Sequence, residues 1–494
     1  MITLRQRPDF DVAVAGGGPA GASAAAHLAR GGCTVALLDR ETFPRDKVCG
    51  DFVGPAAIAE LGGLGVTGRA EFRQTNEIRR AALFLDGEEL ITRDFPRAEG
   101  LPDCGRVIPR IDLDHWIVQA AAGAGAELLE GHRVTGYAVH GGLVHVKTEC
   151  GTGPRVLTAR LLIGVDGAGS VIARRVAGRP PDDGHRMAAV RSYCEGVDGD
   201  SDCAELYFCA QSFPGYTWLF PTGDGTANVG IGLALGTVPG NRPRLRDLLA
   251  ERAANDPVLR RRLGRARIVG RIAGWPLATY DPERPLLGDR VLLAGDAACL
   301  INPLNGEGIQ AALSSGRWAA EAAAACLAEG DLSARALDRY RRRVEDELRH
   351  DMALACLLAQ LIRNRDLTPV WLEALRVICR RARRDGTYAG IAGGILAGIA
   401  PAREALGPRM ILGSMHEAAL SLGVRGASAL LRAARGDCAA LARTGIGAAR
   451  VGMQLACDAI ADPRAMGRWM GSAARCAQEL AAQSLRSGAR SLRP

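Results

Sequence analysis

A short apolar strand near the start of the chain runs straight into a glycine-rich turn and then an alanine-rich helix. The strand is residues 11–15, the turn has the pattern Gly16-x-Gly18-x-x-Gly21, and the helix continues to Arg30. The first glycine permits the tight turn, the second lets the backbone approach a pyrophosphate, and the third lets the helix pack closely on the strand. The helix N-terminus offers its backbone amides and positive dipole end to an anion. This order of elements predicts a nucleotide-binding fold.

The second strand supports the same interpretation. Residues 34–38 are apolar and end in Asp39, 18 residues after Gly21, with Arg40 next to it. An acid at this position accepts hydrogen bonds from the ribose hydroxyl groups of an adenosine. Strand, helix, strand and acid together predict that the chain binds a dinucleotide.

Two later strands also end in acidic residues. Residues 161–165 are followed by Asp166, and residues 290–294 run into Gly295-Asp296. Ligands of open α/β sheets bind at the carboxyl ends of the strands. A loop rich in proline and glycine comes next and leads into a helix, and its motif residues are Gly306, Gly308 and Ile309. We therefore expect a second helix N-terminus to face the same ligand.

Other parts of the chain have different periodicities. Alternation with a period of two over 185–278 predicts the strands of an antiparallel sheet, with one helix over 244–262 between them. Residues 72–98 predict a hairpin that turns at Asp86-Gly87. Beyond residue 332 the pattern is helical, with breaks expected near 386–394 and 407–408.

These patterns predict an α/β fold in which a discontinuous Rossmann-like domain is interleaved with a β-sheet domain and followed by helices. The Rossmann-like domain is assigned residues 1–71, 99–184 and 279–330, the β-sheet domain 72–98 and 185–278, and the α-helical C-terminal region 331–494.

Charge is concentrated at the C-terminal end. The chain has a formal net charge of +8, and residues 411–494 contribute +6 of it. Apolar residues lie there at short spacing among arginines, for example the apolar residues of 411–424 followed by Leu430-Leu431-Arg432. A membrane interface favours such a pattern, and so does a helical face that is merely solvated. The sequence thus leaves two readings open for this region, an anionic membrane surface or packing on the rest of the protein. We expect no nucleic-acid partner.

Cysteine spacing and apolar runs bear on metals and location. The 14 cysteines include no Cys-x-x-Cys pair and no cluster at metal-ligand spacing, so we expect no metal ion. The first strand begins close to the N-terminus, which leaves no room for a secretory signal. The stretch nearest to a membrane span, residues 386–402, is uncharged but too short and too rich in glycine to be one. These observations predict a cytoplasmic protein, with peripheral association at the inner face of the membrane as the open alternative.

The glycine motif, Asp166-Gly167, Gly295-Asp296 and Arg110 together resemble the FAD proteins of the p-hydroxybenzoate hydroxylase-like superfamily over residues 9 to about 330. Two stretches are more selective. Residues 45–50 look like the Lys-x-Cys-Gly loop of the geranylgeranyl reductase family. Residues 214–221 resemble its Tyr-x-Trp-x-Phe-Pro motif, although one residue fewer separates Pro214 from Tyr216 than is usual.

The resemblance implies roles for individual residues. Binding of FAD is expected from Gly16, Gly18, Ala20, Gly21, Asp39, Arg40, Cys49, Gly50, Arg110, Val134, Asp166, Asp296, Gly306, Gly308 and Ile309. Tyr216, Trp218 and Phe220 share one face of a strand and are expected to line a prenyl tunnel, unless they form an ordinary aromatic core. Cys49 is either a reactive thiol or a small residue packed against the flavin. Catalytic roles are expected for Cys49, Tyr216 and Trp218.

The expected function is reduction of the carbon–carbon double bonds of an isoprenoid by hydride transfer from reduced flavin, on a hydrophobic or lipid substrate. A flavin monooxygenase of an aromatic or polyketide compound is the main alternative. A flavin halogenase is less favoured, since that group normally carries Trp-x-Trp-x-Ile-Pro where this chain has residues 216–221. A non-enzymatic FAD-binding role is a fourth reading. The sequence does not identify the reductant, which is NAD(P)H or a ferredoxin, because it contains no second dinucleotide motif.

Overall fold

The computed structural model describes residues 7–237, 244–401, 404, 410, 413, 454–459 and 461–491, with side chains to residue 483. Its strands are β1 (Phe10–Ala15), β2 (Val35–Leu38), β3 (Phe52–Val53), β4 (Asn76–Ile78), β5 (Arg80–Leu85), β6 (Glu88–Asp94), β7 (Gly105–Val107), β8 (Glu127–Leu129), β9 (Arg133–His140), β10 (Leu143–Cys150), β11 (Gly153–Gly164), β12 (Arg186–Glu195), β13 (Cys203–Phe208), β14 (Gly215–Gly223), β15 (Thr226–Ala234), β16 (Arg267–Ala278), β17 (Leu287–Gly288) and β18 (Val291–Leu293).

The α-helices with defined bounds are α1 (Pro19–Arg30), α2 (Pro55–Gly63), α3 (Ala70–Gln74), α4 (Arg110–Gly123), α5 (Val171–Ala177), α6 (Leu245–Asn255), α7 (Pro257–Leu263), α8 (Ile309–Glu329), α9 (Ala334–Ile362), α10 (Thr368–Arg384), α11 (Gly386–Leu396) and α12 (Pro463–Ser491). The α/β fold class is confirmed, with both sheets and helices present and a helical C-terminal region.

An eight-stranded sheet forms the nucleotide-binding part. Its main path runs β17-β18-β11-β1-β2-β8, and β10 and β9 continue from β11. Strand β1 is parallel to both β2 and β11, with Val12 opposite Val35 and Leu161. Parallel strands share the edge at which they end. The carboxyl ends of β1, β2, β11 and β18 therefore bring the glycine turn and the acids Asp39, Asp166 and Asp296 to one edge.

A seven-stranded sheet forms the second layer, in the order β16-β12-β15-β14-β13-β5-β6. The expectation of a fully antiparallel sheet is wrong at one position, since β5 and β13 are parallel, with Ala82 opposite Glu205. The hairpin of β5 and β6 comes from a distant part of the chain and joins the edge of the sheet. Its turn is at Asp86-Gly87 as predicted, and both residues have positive φ, of 50° and 81°, as a tight hairpin requires.

A small third sheet joins the two larger ones. It consists of β3, β7 and β4, with Asn76 opposite Val107. These strands are two or three residues long, too short to show periodicity, and the sequence analysis did not predict them. It also missed β10. Because β4 pairs with β7, the first residues of the segment 72–98 share a sheet with strands assigned to the Rossmann-like domain.

Two predicted helix boundaries are wrong. The expected helix over 244–262 is two helices, because Pro257 has no amide hydrogen to continue the first and the Asp256 carboxylate caps the second, accepting from the amides of Val258 and Leu259 at 3.1 Å. The break expected near 386–394 lies at Asp385 instead. The Asp385 side chain accepts from the Tyr388 amide and so caps α11, and the glycines of 386–394 are part of that helix. The predicted break at 407–408 lies outside the described residues, and so does the apolar segment 411–424 apart from Gly413.

Helix α12 packs on α9. The Arg349 guanidinium is 2.5 Å from the Glu479 carboxylate, and the Trp469 indole donates to the Gln360 carbonyl at 2.7 Å. Among the described residues, no helix combines the length and the apolar character that crossing a bilayer requires. At least one helix of the C-terminal region thus packs on the body of the protein.

Candidate cofactor and substrate site

The glycine turn has the geometry that a bound pyrophosphate requires. Gly16 has φ +121°, and a Cβ there would lie 2.4 Å from the Val165 carbonyl oxygen. A Cβ on Gly21 would lie 1.8 Å from the carbonyl oxygen of Gly16, so the helix reaches the turn only without one. A Cβ on Gly18, in contrast, would meet nothing within 4 Å. That free space faces the N-terminus of α1, where no side chain caps the amides. The glycine turn and the uncapped amides at the start of α1 therefore fit the diphosphate of a dinucleotide.

Asp39 lies at the end of β2 and braces the same turn. Its carboxylate accepts from the amide of Gly17 at 2.7 Å and from that of Glu41 at 2.9 Å. Each carboxylate oxygen has further lone-pair capacity, so contact with a ribose remains compatible with these bonds. Arg40 is half exposed and pairs with Glu41. Val134 lies in β9, opposite Thr148 of β10.

Asp166 has a local role that the sequence analysis did not anticipate. Its carboxylate accepts from the Val171 amide at 2.7 Å and from the Ser170 hydroxyl, so it holds the start of α5. Burial raises the pKa of Asp166. The acid at the end of β11 is engaged by the following helix, and its contact with the cofactor stays a prediction.

Helix α8 brings the second helix N-terminus to the site. It packs on α1 at backbone distance, since a Cβ on Gly316 would lie 2.2 Å from the carbonyl oxygen of Ala20. Asp296 lies in the short helix Gly295–Ala298 just before this region, with its carboxylate 3.6 Å from the Lys47 ammonium. The start of α1 therefore packs against the middle of α8, about two turns from the first residue of α8.

Glu307, between Gly306 and Gly308, was missed by the sequence analysis. Its carboxylate accepts from the Gln310 amide at 2.7 Å and so caps α8, whose first residue is Ile309. Burial raises the pKa of Glu307 to about 7. An acid inside a glycine-rich helix start was the signal that could have identified it.

The loop of residues 43–51 is pinned to α4. Asp114 accepts two bonds from Arg110, at 2.7 and 2.9 Å, and one from Arg45 at 2.7 Å. Burial raises the pKa of Asp114, but the two arginines hold it below its ordinary value. Burial disfavours the charged form of Arg110 and lowers its pKa. The neighbouring Asp114 outweighs this effect, with a further contribution from Cys49, so the pKa of Arg110 is raised overall. Cys49 and Arg110 are thus brought together, and their contact with the ring end of a flavin stays a prediction.

The tip of this loop lies on a row of aromatic rings. A Cβ on Gly50 would lie 3.2 Å from the Phe220 ring and 3.4 Å from Nε1 of Trp218. The rings of Tyr216, Trp218 and Phe220 follow one another along β14 with centroids 6.2 Å apart. Gly230 on the neighbouring strand makes room, because a Cβ there would lie 2.2 Å from the Trp218 ring. The two motifs of the resemblance therefore form one site.

The aromatic row extends beyond the predicted residues. Phe208 adds a ring 5.9 Å from Tyr216, Phe52 lies 5.6 Å from Phe220, and Phe95 lies 5.8 Å from Phe52. The Tyr216 hydroxyl donates to the Asn305 carbonyl, and burial raises its pKa to about 12. The result is an elongated apolar wall that begins at the loop before α8.

Helix α11 covers one side of the wall. The Asn305 side chain donates to the Leu396 carbonyl at 3.0 Å, and the Ala397 carbonyl oxygen would be 3.7 Å from a Cβ on Gly54. A Cβ on Gly393 would lie 3.7 Å from the ring of Pro96. The uncharged, glycine-rich run that the sequence analysis tested as a membrane span thus contacts the loops around the site.

A buried polar network behind Cys49 was also missed. Asp51 accepts from the Tyr193 hydroxyl at 2.5 Å and from the Asn228 amide at 2.7 Å. Asn228 also donates to the Cys49 carbonyl at 2.8 Å and accepts from the Trp218 indole at 2.9 Å. Asp51 directly follows the recognised loop, which was the available signal. Its partners come from two strands of the other sheet, and local sequence does not indicate them.

Comparison with known proteins agrees with this geometry. Residues 9–350 match the family of the FAD binding domain. Digeranylgeranylglycerophospholipid reductase 2 of Methanopyrus kandleri is 33% identical over 352 residues, which cover 69% of this chain and 83% of that protein. The menaquinone reductase of Mycobacterium tuberculosis is 35% identical over 324 residues, covering 63% of this chain and 76% of the relative.

Solved structures share the fold. A geranylgeranyl bacteriochlorophyll reductase-like protein from Thermoplasma acidophilum superposes with a TM-score of 0.64 at 24% identity, over 74% of this chain and 91% of the other. The flavin-dependent halogenase CmlS superposes with a TM-score of 0.62 at 22% identity, over 76% and 72%. At these identities the likeness concerns the fold alone.

Proposed function

Because this chain belongs to the geranylgeranyl reductase family of FAD-dependent enzymes, we propose that it reduces carbon–carbon double bonds in an isoprenoid chain. The observation that carries the proposal is the contact of the Cys49-Gly50 loop with the aromatic row at Trp218 and Phe220. It sets a thiol beside an elongated apolar surface. The two relatives compared above are named for substrates that contain isoprenoid chains.

Reduced FAD supplies a hydride when it is bound. Saturating a double bond requires a hydride on one carbon and a proton on the other. The aromatic row supplies apolar surface for the prenyl chain. The chain is bound by apolar contacts with the rings and not by hydrogen bonds. Cys49 is a free thiol in the loop that meets the row at Trp218 and Phe220, and we assign it the role of proton donor. Its S–H bond breaks, the proton goes to carbon, and the thiolate is reprotonated before the next turnover.

Hydroxylation remains the alternative that the test must exclude. Monooxygenases and halogenases use the same kind of fold but need molecular oxygen. The relatives named as reductases favour reduction.

Anaerobic turnover tests the proposal. The FAD-loaded protein is reduced with dithionite and mixed in detergent with digeranylgeranylglycerophospholipid, whose only groups reducible under these conditions are its isoprenoid double bonds. We expect the flavin to be reoxidised without oxygen and the product to gain two hydrogen atoms per reduced bond. Turnover that occurs only with oxygen, with oxygen incorporated into the product, would sink the proposal.

A pair of variants tests the substrate surface. Phe220→Ala shortens the aromatic row and should raise KM several-fold. Phe72 is buried and packs under Arg106. Phe72→Ala should leave KM unchanged. Equal effects of the two variants on KM would show that the row does not bind the substrate.

We also propose peripheral binding to an anionic membrane, where a lipid substrate resides. The exposed face of α12 carries Arg464, Arg468 and Arg475, whose spacing of four and seven residues puts them on one side of the helix. Truncating the chain at residue 407 would remove these arginines, but it would also uncover the face of α9 on which α12 packs. Substitutions are therefore the better test. Replacing the three arginines by glutamate should abolish co-sedimentation with anionic liposomes and leave FAD binding intact. Wild-type protein that stays in the supernatant at low salt would contradict this part.

A further inference from the structure

Lysine is rare in this chain. It occupies two of the 62 lysine and arginine positions, Lys47 and Lys147. Lys147 is exposed on β10, whereas Lys47 lies in the loop of residues 43–51 with 26% of its side chain exposed. An ammonium group is a compact point charge with three donors, unlike the flat guanidinium of arginine. A lysine in this loop, in a chain that otherwise uses arginine, indicates a role that suits an ammonium group.

The backbone around Lys47 is fixed by its neighbours. Arg45 pairs with Asp114 of α4 at 2.7 Å, and Asp46 pairs with Arg191 of β12 at 2.6 Å. Arg191 also donates to the Lys47 carbonyl oxygen at 3.3 Å. The loop is therefore tied to a helix of one domain and a strand of the other, and the Lys47 side chain takes part in neither contact.

The Lys47 side chain reaches Asp296 instead. The ammonium nitrogen is 3.6 Å from the Asp296 carboxylate, of which 18% is exposed. Asp296 in turn faces the start of α8, since a Cβ on Gly308 would lie 3.8 Å from its Oδ1 atom. Glu307 is close by, and burial, with a smaller contribution from the charge of Asp296, raises the pKa of Glu307. Lys47 thus brings a positive charge to the point where two acids meet the start of α8.

This point lies where the ring end of FAD is expected. The loop that carries Lys47 meets the aromatic row three residues later, where a Cβ on Gly50 would lie 3.2 Å from the Phe220 ring. The ammonium group therefore sits between the strand edge that holds Asp296 and the substrate surface. Reduction by two electrons makes the ring system of FAD more negative, and a protein charge near the ring tunes its electronics.

We propose that Lys47 is a cofactor-binding residue whose ammonium group, held by Asp296, favours the reduced form of FAD over the oxidised form. A carboxylate has lone pairs for several donors, so Asp296 can hold the ammonium group and still accept from the ribityl chain. The inference concerns the cofactor alone and is independent of which substrate the reduced cofactor acts on.

Substitution of Lys47 tests the effect of the charge. Lys47→Met keeps the length of the side chain and removes the charge, so it should weaken the binding of reduced FAD relative to oxidised FAD by about tenfold. For a two-electron couple, a tenfold change in the equilibrium constant corresponds to about 30 mV. We therefore expect the midpoint potential of the bound flavin to fall by about 30 mV in Lys47→Met.

Two further variants serve as controls. Lys47→Arg retains a positive charge in the same place and should keep the midpoint potential near that of the wild type. Lys147→Met removes the other lysine of the chain, on the exposed side of β10, and should have no effect. The potentials are measured on the FAD-loaded proteins by reductive titration in the presence of a dye of known potential.

Acetylation of the wild-type protein gives a second readout, which needs neither turnover nor a variant. The protein with and without FAD is treated with an acetylating reagent that is selective for amines, and the two lysines are quantified by mass spectrometry in peptides released by cleavage at arginine. We expect FAD to slow the acetylation of Lys47 several-fold and to leave that of Lys147 unchanged, so that Lys147 is the internal standard.

The proposal is overturned if Lys47→Met has the wild-type potential, if Lys47→Arg lowers the potential as far as Lys47→Met, or if FAD leaves the acetylation of Lys47 unchanged. The acetylation result decides by itself should Lys47→Met bind FAD too weakly to be titrated. Failure of the anaerobic reduction assay together with the expected potentials would instead reject the proposed function and leave the role of Lys47 intact.

Discussion

The side-chain amide of Asn228 donates to the carbonyl oxygen of Cys49 at 2.8 Å, across 179 positions of sequence. This bond ties the loop at the cofactor side to the central strands of the substrate sheet. The Asn228 side chain is completely buried and also bonds Asp51 and Trp218. One amide therefore fixes the distance between the thiol and the aromatic row.

Asn228→Ala should destabilise the protein strongly, because it leaves the Trp218 indole and the Cys49 carbonyl without this partner and removes one of the two bonds to Asp51. Each unpaired group costs about 1–3 kcal/mol, so we expect a loss of at least about 2 kcal/mol in the free energy of unfolding. Chemical denaturation measures it. Gln119→Ala removes an exposed amide from α4 and should change stability by less than about 0.5 kcal/mol. Similar losses for both variants would contradict the assigned role of Asn228.

Gly316→Ala should separate α8 from α1. The new Cβ would lie 2.2 Å from the Ala20 carbonyl oxygen, which is backbone and has no rotamer to adopt. We expect a loss of about 1–3 kcal/mol and weaker FAD binding, since both helix N-termini move. Gly63→Ala, where a Cβ meets nothing within 4 Å, should be neutral or slightly stabilising. Thermal unfolding with and without added FAD distinguishes the two, and wild-type behaviour of Gly316→Ala would disprove the close contact.

Asp296→Ala should reduce the affinity for FAD. The carboxylate is expected to accept charge-assisted hydrogen bonds from the ribityl chain, worth about 1.5–3 kcal/mol each, which corresponds to about 10- to 100-fold in Kd for one bond. Fluorescence titration of the apoprotein with FAD measures this. Glu321→Ala on the exposed side of α8 is the control and should bind FAD normally. An unchanged Kd for Asp296→Ala would remove this residue from the cofactor site.

FAD should be held without a covalent bond, because no His or Cys lies in a recognisable flavinylation context. Acid precipitation of the yellow protein is expected to release all of the flavin into the supernatant. Colour that remains in the washed pellet would refute this prediction.

Cys49→Ser and Cys49→Ala should slow the reduction of substrate far more than they affect folding. Serine keeps the size but is a much weaker acid, and alanine removes the proton donor altogether. Rates of flavin reoxidation by substrate and visible spectra of the bound flavin are compared with wild type. If both variants react at the wild-type rate, the thiol serves only for packing.

The parts of this protein that depend on local geometry were predicted from the sequence. The turn Gly16-x-Gly18-x-x-Gly21 sits between strand and helix because backbone sterics at Gly16 and Gly21 tolerate no side chain. The rings of Tyr216, Trp218 and Phe220 share a face because side chains alternate along a strand. Carboxyl ends of parallel strands meet at one edge, which brought Asp39 and Asp296 together. These features follow from periodicities of a few residues.

Only the tertiary structure decided what surrounds Cys49. Asp51 meets Tyr193 across 142 positions of sequence and Asn228 across 177, on strands whose place is set by the register of the seven-stranded sheet. Helix α11 covers the aromatic row because Asp385 caps it and the loop at Asn305 holds its end. Such contacts leave no periodic trace in the sequence, because they arise when two sheets pack together. The apolar wall can be predicted from local pattern, whereas the proton chemistry beside it depends on long-range packing.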